Sequence, residues 1–477
     1  MSGSSFTFVA FGVLVALLVA ARQSLAWRQG VILAASAVFL ASLSRNPLAF
    51  VPLLGFLLIG FLAVRASEKY SSLTFPLVIA GVLLLFVWLK RYAFVPSSLW
   101  ISYTYITIGL SYVLFRLLHL IIEGRNDSAL ARLPLHSYLG YLIGFNTFVA
   151  GPIMFYDEYV AEQDGLRRGA TADDVAEGSQ RIIVGLFKAN VLAALLAAMR
   201  ASALVTLRDG DTAPRQILAG AAVFALYPLF LYCNFAGYID IVIGLSRLMG
   251  QRLPENFDRP FAATSVIDFW NRWHITLSRW LKTYVFNPLL IALLRKFPSR
   301  RLEPLWATVA FFITFTLVGI WHGPTTAFLV FGLLTGLGVS VNKLHQLLMT
   351  RVLGKKRYGE LGRSAMYRVF ARGLTFTWFA ITLTWFWGSW SVATSMVSAM
   401  GRKRWLVAWM AIFFGSSVLL AVWEALRSGW YARESPGASD LGRIRVRTAW
   451  LTTLMVIVAV VVFLSSQSAP ELVYKDF

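Results

Sequence analysis

The sequence predicts an all-α polytopic membrane protein, and three observations carry that expectation. Of 477 residues, 58% are hydrophobic and only 14% charged, with a mean hydropathy of +0.66, a balance that a soluble domain of this length does not sustain. The apolar residues are gathered into runs long enough to cross a bilayer. The charge, 44 Lys+Arg against 23 Asp+Glu for a net +21, falls in the short connections between those runs. That is the positive-inside pattern, with attraction to anionic membrane lipids, rather than a nucleic-acid face.

In chain order, Met1–Ser5 carries no positive charge, an apolar run begins at Phe6, and Arg22 and Arg28 follow it. This reads as a first span with its N-terminus outside, not as a cleavable signal peptide. Further spans are expected near 31–43 with 48–64, then 73–89, 99–122, 182–204, 217–248, 302–319, 327–341, 374–386, 406–425 and 449–464. The segment 139–152 is short and glycine-rich, suited to a re-entrant stretch. The total is roughly eleven to thirteen membrane-crossing or re-entrant helices by length, expected to form one integral-membrane domain over 1–477, with C-terminal helices over 370–466. The strongest basic connections, 295–301, 351–372 and 427–447, are all cytoplasmic if 302–319 and 327–341 run out and back; Arg402–Arg404 then falls on the other side. His322 is thereby placed in an outward turn or at mid-membrane depth.

The only cysteine is Cys233, so disulfides and cysteine-held zinc are excluded, and no metal site is expected. There is no GxxxxGK[ST], no GxSxG and no HExxH, which removes phosphate-loop, nucleophile-elbow and zincin chemistry. Any catalysis must come from isolated histidines, of which there are five. His322 lies in GIWHGP (Gly319–Pro324), where Gly323-Pro324 breaks the helix. A titratable group there is costly to keep in an apolar setting and suits a general base. His274 lies in FWNRWHITLSRWLKTYVFN (Phe269–Asn287). Read as one helix, this stretch aligns Trp270, Trp273, His274, Leu277 and Leu281 along one stripe. Arg272 and Arg279 fall on another face, Asp268 precedes Arg272 by four residues, and Ser265 with Asp268 forms a capping box.

Two further polar sets interrupt apolar spans. Tyr112, Arg116, His119 and Glu123 share helical spacing and must face the bundle interior; an ion-pair network joining Arg116 and Glu123 through His119, or a substrate passage, would account for them. In Tyr232–Leu248, Asp240 requires a cationic or hydrogen-bonding partner, for which Arg247 and the nearby Arg252 or Arg272 are candidates, as a structural tie.

The long stretch YCNFAGYIDIVIGLSRLMGQRLPENFDRPFAATSVIDFWNRWHITLSRWLKTYVFNPL, followed by GIWHG with its histidine 48 residues after His274, resembles the signature of the membrane-bound O-acyltransferases. It is most similar to the bacterial branch of alginate O-acetylation and teichoic-acid D-alanylation proteins. ISYTYITIGLSYVLFR, FNTFVAGPIMFYDEY and EGSQRIIVGLFKAN extend the likeness over about 90–345. The resemblance implies a ring of tilted helices around a central funnel or tunnel in which the two histidines face each other. It implies His322 as the catalytic histidine and His274 as its second histidine. No bound cofactor is implied; the donor would be a cytoplasmic acyl thioester, acetyl-CoA or an acyl-carrier protein. On that reading His274 orients or polarises the donor carbonyl or assists proton movement. Asn271, three residues before it, would donate to the oxyanion. Arg272 and Lys282 would attract donor phosphates or, equally, lipid phosphates, and Trp273 and Trp321 would line the substrate. The implied product is an acyl ester, acetyl by this branch, on an extracytoplasmic polysaccharide, made with an extracytoplasmic acetyltransferase- or esterase-like partner protein at the bacterial inner membrane. A lipid or secreted-protein acceptor involves the same chemistry. A transporter is the rival class, since polar stripes and broken helices also build permeation paths, but no repeat halves are visible.

Overall fold

The computed structural model of the chain describes residues 5–210, 212–299, 301–434, 440–464 and 472–473. Arg300 and residues 435–439 of the basic connections lie outside the described residues. The helices run in the order α1 (Phe6–Ala20), α2 (Leu25–Ala41), α3 (Val51–Arg65), α4 (Thr74–Leu89), α5 (Leu110–Glu123), α6 (Ser128–Ala131), α7 (Leu135–Ile143), α8 (Tyr156–Arg168), α9 (Ala172–Leu186) and α10 (Ala193–Asp209). They continue with α11 (Ala213–Leu248), α12 (Val266–Trp270), α13 (Ile275–Leu281), α14 (Asn287–Lys296), α15 (Glu303–His322), α16 (Thr326–Arg363), α17 (Ala365–Trp387), α18 (Trp390–Glu434) and α19 (Asp440–Leu464). Among the described residues there is no strand, so the all-α expectation holds. Seven helical stretches there are long and apolar enough to cross a membrane: 47–65, 172–209, 213–248, 303–322, 326–363, 365–387 and 390–428. Shorter apolar helices accompany them at 6–20, 25–41, 74–89 and 449–461. Leu17, Leu54, Leu84, Leu218 and Leu419 on these helices are exposed, as expected where lipid tails rather than water are the solvent.

The chain forms two compact units, one of residues 1–190, 234–255 and 467–477, the other of residues 191–233 and 256–466. In the first, α9 and the end of α11 approach through glycines. A Cβ on Gly178 would lie 2.8 Å from the Gly244 carbonyl oxygen, and one on Gly185 would lie 2.6 Å from that of Gly237. Small residues let backbones meet where no hydrophobic effect drives helices together. A capping box of Thr171 with Asp174 starts α9. Asp174 also accepts from Arg252 at 3.2 Å, and Glu177 pairs with Arg247 at 2.8 Å. Asp240 therefore finds a cation other than the three expected: Lys188 at 2.7 Å, with Arg181 at 3.9 Å. Lys188 sits on the π-helical turn Phe187–Leu192, a register shift that periodicity does not announce.

The expected span 99–122 is helical only from Leu110. Gly109 ahead of it has φ +76°, and a Cβ there would meet the Phe148 carbonyl oxygen at 2.7 Å, so the helix starts where only glycine fits. The polar stripe on α5 is not an Arg116–His119–Glu123 ion-pair network. Arg116 is buried and donates to the carbonyls of Tyr141 (3.3 Å), Leu142 (3.1 Å), Thr147 (2.9 Å) and Pro152 (3.4 Å). It gathers the non-helical stretch 144–154, which is buried throughout, as irregular backbone must be in a membrane protein. His119 accepts from the Tyr156 N–H at 2.9 Å and stacks on Phe155.

In the second unit, α15 and α16 form a close hairpin. A Cβ on Gly319 would collide with the Gly332 backbone, one on Gly332 would lie 2.6 Å from the Thr316 carbonyl oxygen, and one on Gly336 would lie 2.7 Å from that of Phe312. The span predicted to end near Val341 continues as helix to Arg363, with a kink at Gly354 (φ 77°). The basic stretch 351–363 is thus helical, not a loop. A core of Leu207, Val223, Phe224, Phe376, Met400 and Ile412 joins α10, α11, α17 and α18. The Arg200 guanidinium lies 3.8 Å over the Trp387 ring and donates to the Val223 carbonyl.

Candidate active site

The single helix expected over 269–287 is instead two short helices with a break at the histidine. Ser265 caps α12, accepting the Asp268 N–H at 3.1 Å, while the Asp268 carboxylate accepts from Thr264 rather than completing the box. The predicted Asp268–Arg272 pair is present at 2.8 Å. The helix then stops: Trp273 forms a lone bridge with Phe257, and His274 takes a left-handed conformation, φ 46°. For a non-glycine residue this is a sparsely populated conformation that the surroundings must impose.

Asn256 imposes it. Its carbonyl accepts the Ile275 N–H at 3.0 Å, and its side-chain Oδ1 accepts the Thr276 N–H at 3.2 Å and the Thr276 hydroxyl at 2.9 Å. These are first-turn donors of α13, for which His274 supplies no side-chain cap. Asn256 therefore caps the helix from a distant position in sequence. Oδ1 also lies 3.2 Å from His274 Nδ1. Both residues are buried, Asn256 at 0% and His274 at 1% exposure. Sequence reading missed Asn256; the available signal was an asparagine between Pro254 and Pro260, prolines that leave no room for a helix of more than about a turn and a half.

His322 is the last residue of α15, not part of a following turn, and is 4% exposed. Its ring is enclosed by Trp321 (centroids 4.6 Å apart), Phe386 (4.9 Å), Phe331 (5.4 Å) and Phe328 (6.4 Å). A Cβ on Gly323 would strike the Phe328 ring, so glycine after the histidine is what lets that wall close. Phe386 arrives from α17, with no sequence signal linking it to His322. The two imidazoles lie within electrostatic reach of each other.

The remaining predicted residues divide. Trp273, the residue before His274, is buried against Phe257 (5.1 Å), Phe379 (5.0 Å) and Phe269 (5.6 Å). Trp321 flanks His322. Arg272 also reaches Asp258 at 3.3 Å, so two carboxylates already engage it. Lys282 is exposed on the π-helical turn Lys282–Phe286. Asn271 is exposed at the end of α12, and the break removes the shared helical turn on which its oxyanion role rested.

The first unit holds a separate cavity of about 440 Å³, lined by Arg116, Tyr141, Tyr156, Tyr159, Gln29 and Gln163 among others. Burial pushes the Tyr159 phenol up to about 12 and raises Tyr156, so both line it as neutral hydroxyls.

Residues 80–371 match the sequence model of the MBOAT, membrane-bound O-acyltransferase, family. The chain is 30% identical to a teichoic acid D-alanyltransferase of Bacillus subtilis over 58% of its own length and 69% of that protein. It is 29% identical to a protein named probable alginate O-acetylase AlgI of Pseudomonas fluorescens, over 60% of this chain and 53% of the relative. With a peptidoglycan O-acetyltransferase of Helicobacter pylori the identity is 32%, over 44% and 37% respectively. The matches thus span between about a third and two thirds of these curated relatives. The chain belongs to the membrane-bound O-acyltransferase family and, as such, is a multi-pass membrane O-acyltransferase.

Proposed function

We propose that the protein moves an acyl group, acetyl by likeness to its O-acetylating relatives, from a cytoplasmic thioester toward a hydroxyl of an extracytoplasmic polysaccharide. Transfer reaches the polymer directly or through a partner protein that completes it, at the inner membrane of a bacterial cell. The observation that carries this reading is the pair of buried histidines, each at a helix break, with His322 inside an aromatic enclosure and His274 held against Asn256.

The chemistry follows from what a thioester and a hydroxyl lack. The hydroxyl is a poor nucleophile until its proton is taken, and His322 is the group proposed to take it. The oxygen then attacks the thioester carbon, the C–S bond breaks, and the proton passes to the leaving thiolate. Walls of Phe328, Phe331 and Phe386 exclude water, which would otherwise intercept the acyl group. His274 is proposed to orient the donor or carry a proton. Trp273 and Trp321 shape the enclosure, and Arg272 and Lys282 remain candidates for the donor's phosphates. Acetyl-CoA and an acyl-carrier protein both offer the required thioester, and no cofactor is needed.

The test is mass spectrometry of base-labile acyl esters on surface glycans of wild type, deletion and His322→Ala cells at matched membrane levels. Loss in both mutants, by about 10²-fold or more for the substitution, supports the reading, and the released acid identifies the acyl group. Ester retained in His322→Ala overturns the catalytic assignment; ester retained in the deletion overturns the glycan acceptor.

A further inference from the structure

We infer that Asn256 is the positioning residue that holds His274 in its Nδ1–H tautomer, leaving the lone pair on Nε2. The orientation of the Asn256 amide is fixed independently of the histidine. The Thr276 backbone N–H can only donate, and it lies 3.2 Å from Oδ1; exchanging the amide's oxygen and nitrogen would set two donors against each other. The Thr276 hydroxyl, 2.9 Å from the same atom, adds to that preference. An amide oxygen only accepts. His274 Nδ1, 3.2 Å from it, must therefore carry the hydrogen, and in a neutral imidazole Nε2 then has none.

The left-handed backbone of His274, φ 46°, belongs to the same device. Capping α13 from Asn256 and turning the chain at His274 bring the ring against Oδ1, so the conformation that is costly for the residue is what sets its tautomer.

This rests on the reading of His274 as part of the acyl-transfer site, and it chooses among that residue's roles. A neutral ring with a bare Nε2 has no hydrogen to give a thioester carbonyl, so His274 does not polarise the donor. It accepts: a hydrogen bond from the attacking hydroxyl or the pantetheine arm, or the proton that His322 has taken, held until the thiolate leaves.

The experiment is ¹⁵N NMR of the full chain in detergent micelles with labelled histidine, His274 being assigned by its loss in His274→Gln. The expected spectrum has the directly bonded hydrogen on Nδ1 and a pyridine-type Nε2. In Asn256→Ala the signal shifts to Nε2–H or to a mixture, and ester on the surface glycans falls by at least about tenfold, as expected when an imidazole loses the partner fixing its tautomer. Asn256→Asp, which keeps an accepting oxygen, restores the Nδ1–H signal. Thr276→Val, which removes the hydroxyl but not the Nδ1 contact, leaves the tautomer unchanged. A wild-type spectrum with the hydrogen on Nε2 overturns the inference even if no variant folds, and so does an Asn256→Ala spectrum identical to wild type. Neither result bears on whether His322 is catalytic, which the ester measurement decides separately.

Discussion

Two regions of this membrane protein carry non-helical backbone through an apolar setting, and they satisfy it in opposite ways. From the end of α7 through 144–154 the surplus groups are carbonyls, and the Arg116 guanidinium donates to those of Tyr141 and Leu142 in the last turn of α7 and of Thr147 and Pro152 in the stretch that follows. At 271–276 the surplus groups are N–H donors, and Asn256 accepts those of Ile275 and Thr276. A rigid, always-charged fork is suited to gathering several acceptors at once. A single amide oxygen can serve a helix start and still contact the neighbouring imidazole. The difference teaches that a buried polar side chain should be read by where its hydrogen bonds go. Arg116 directs its contacts into backbone, whereas Asn256 also directs one to a proposed reacting group.

The largest effect should come from breaking the first region. Arg116→Leu strands buried carbonyls at about 1–3 kcal/mol for each that finds no water, comparable with the whole stability of many domains. Thermal melts and size-exclusion profiles in detergent should reveal loss of the folded protein, and Arg116→Lys should not recover it. If ester synthesis fell while the melt stayed put, Arg116 would belong to a substrate passage instead.

Breaking the second region should separate folding from activity. Asn256→Ala loses a helix cap, about 0.5–2 kcal/mol, so folded protein should persist at reduced melting temperature while ester falls further than protein level does. Equal losses would reduce Asn256 to a cap. Gly319→Ala should cost about 1–3 kcal/mol by overpacking α15 against α16 and should lower ester because His322 ends the displaced helix; an unchanged melt would mean the hairpin tolerates separation. Arg272→Ala should move the melt least, by about 0–1 kcal/mol for a partly exposed ion pair. A steep rise in the acetyl-CoA concentration needed by purified membranes would instead make Arg272 a phosphate ligand.

Much of the fold was legible because the bilayer imposes simple rules. Runs of apolar residues at bilayer length gave most of the helices, and Ser265–Asp268 and Asp268–Arg272 were local pairs within one turn. His322 and His274 stood out as rare titratable residues in apolar stretches, and the motifs around them carried the family.

What the sequence could not determine were partnerships between distant segments. Spacing in Phe269–Asn287 favours one helix, yet Asn256 and Phe257 compete for the backbone of 273–276, and tertiary contacts win over periodicity. Asp240 has Arg247 two turns away on its own helix but pairs with Lys188, which reaches it from the π-helical turn Phe187–Leu192, 52 residues distant. Arg116 looked like half of an ion pair because carbonyls 25 to 36 residues away leave no mark in a local pattern. Hydropathy and period depend on a residue and its near neighbours, so the sequence by itself determined the membrane class, the helices and the two histidines. Hydrogen-bond satisfaction in a low-dielectric interior is settled by whichever group arrives, so only the tertiary structure decided where the helices break and which atoms hold the broken ends.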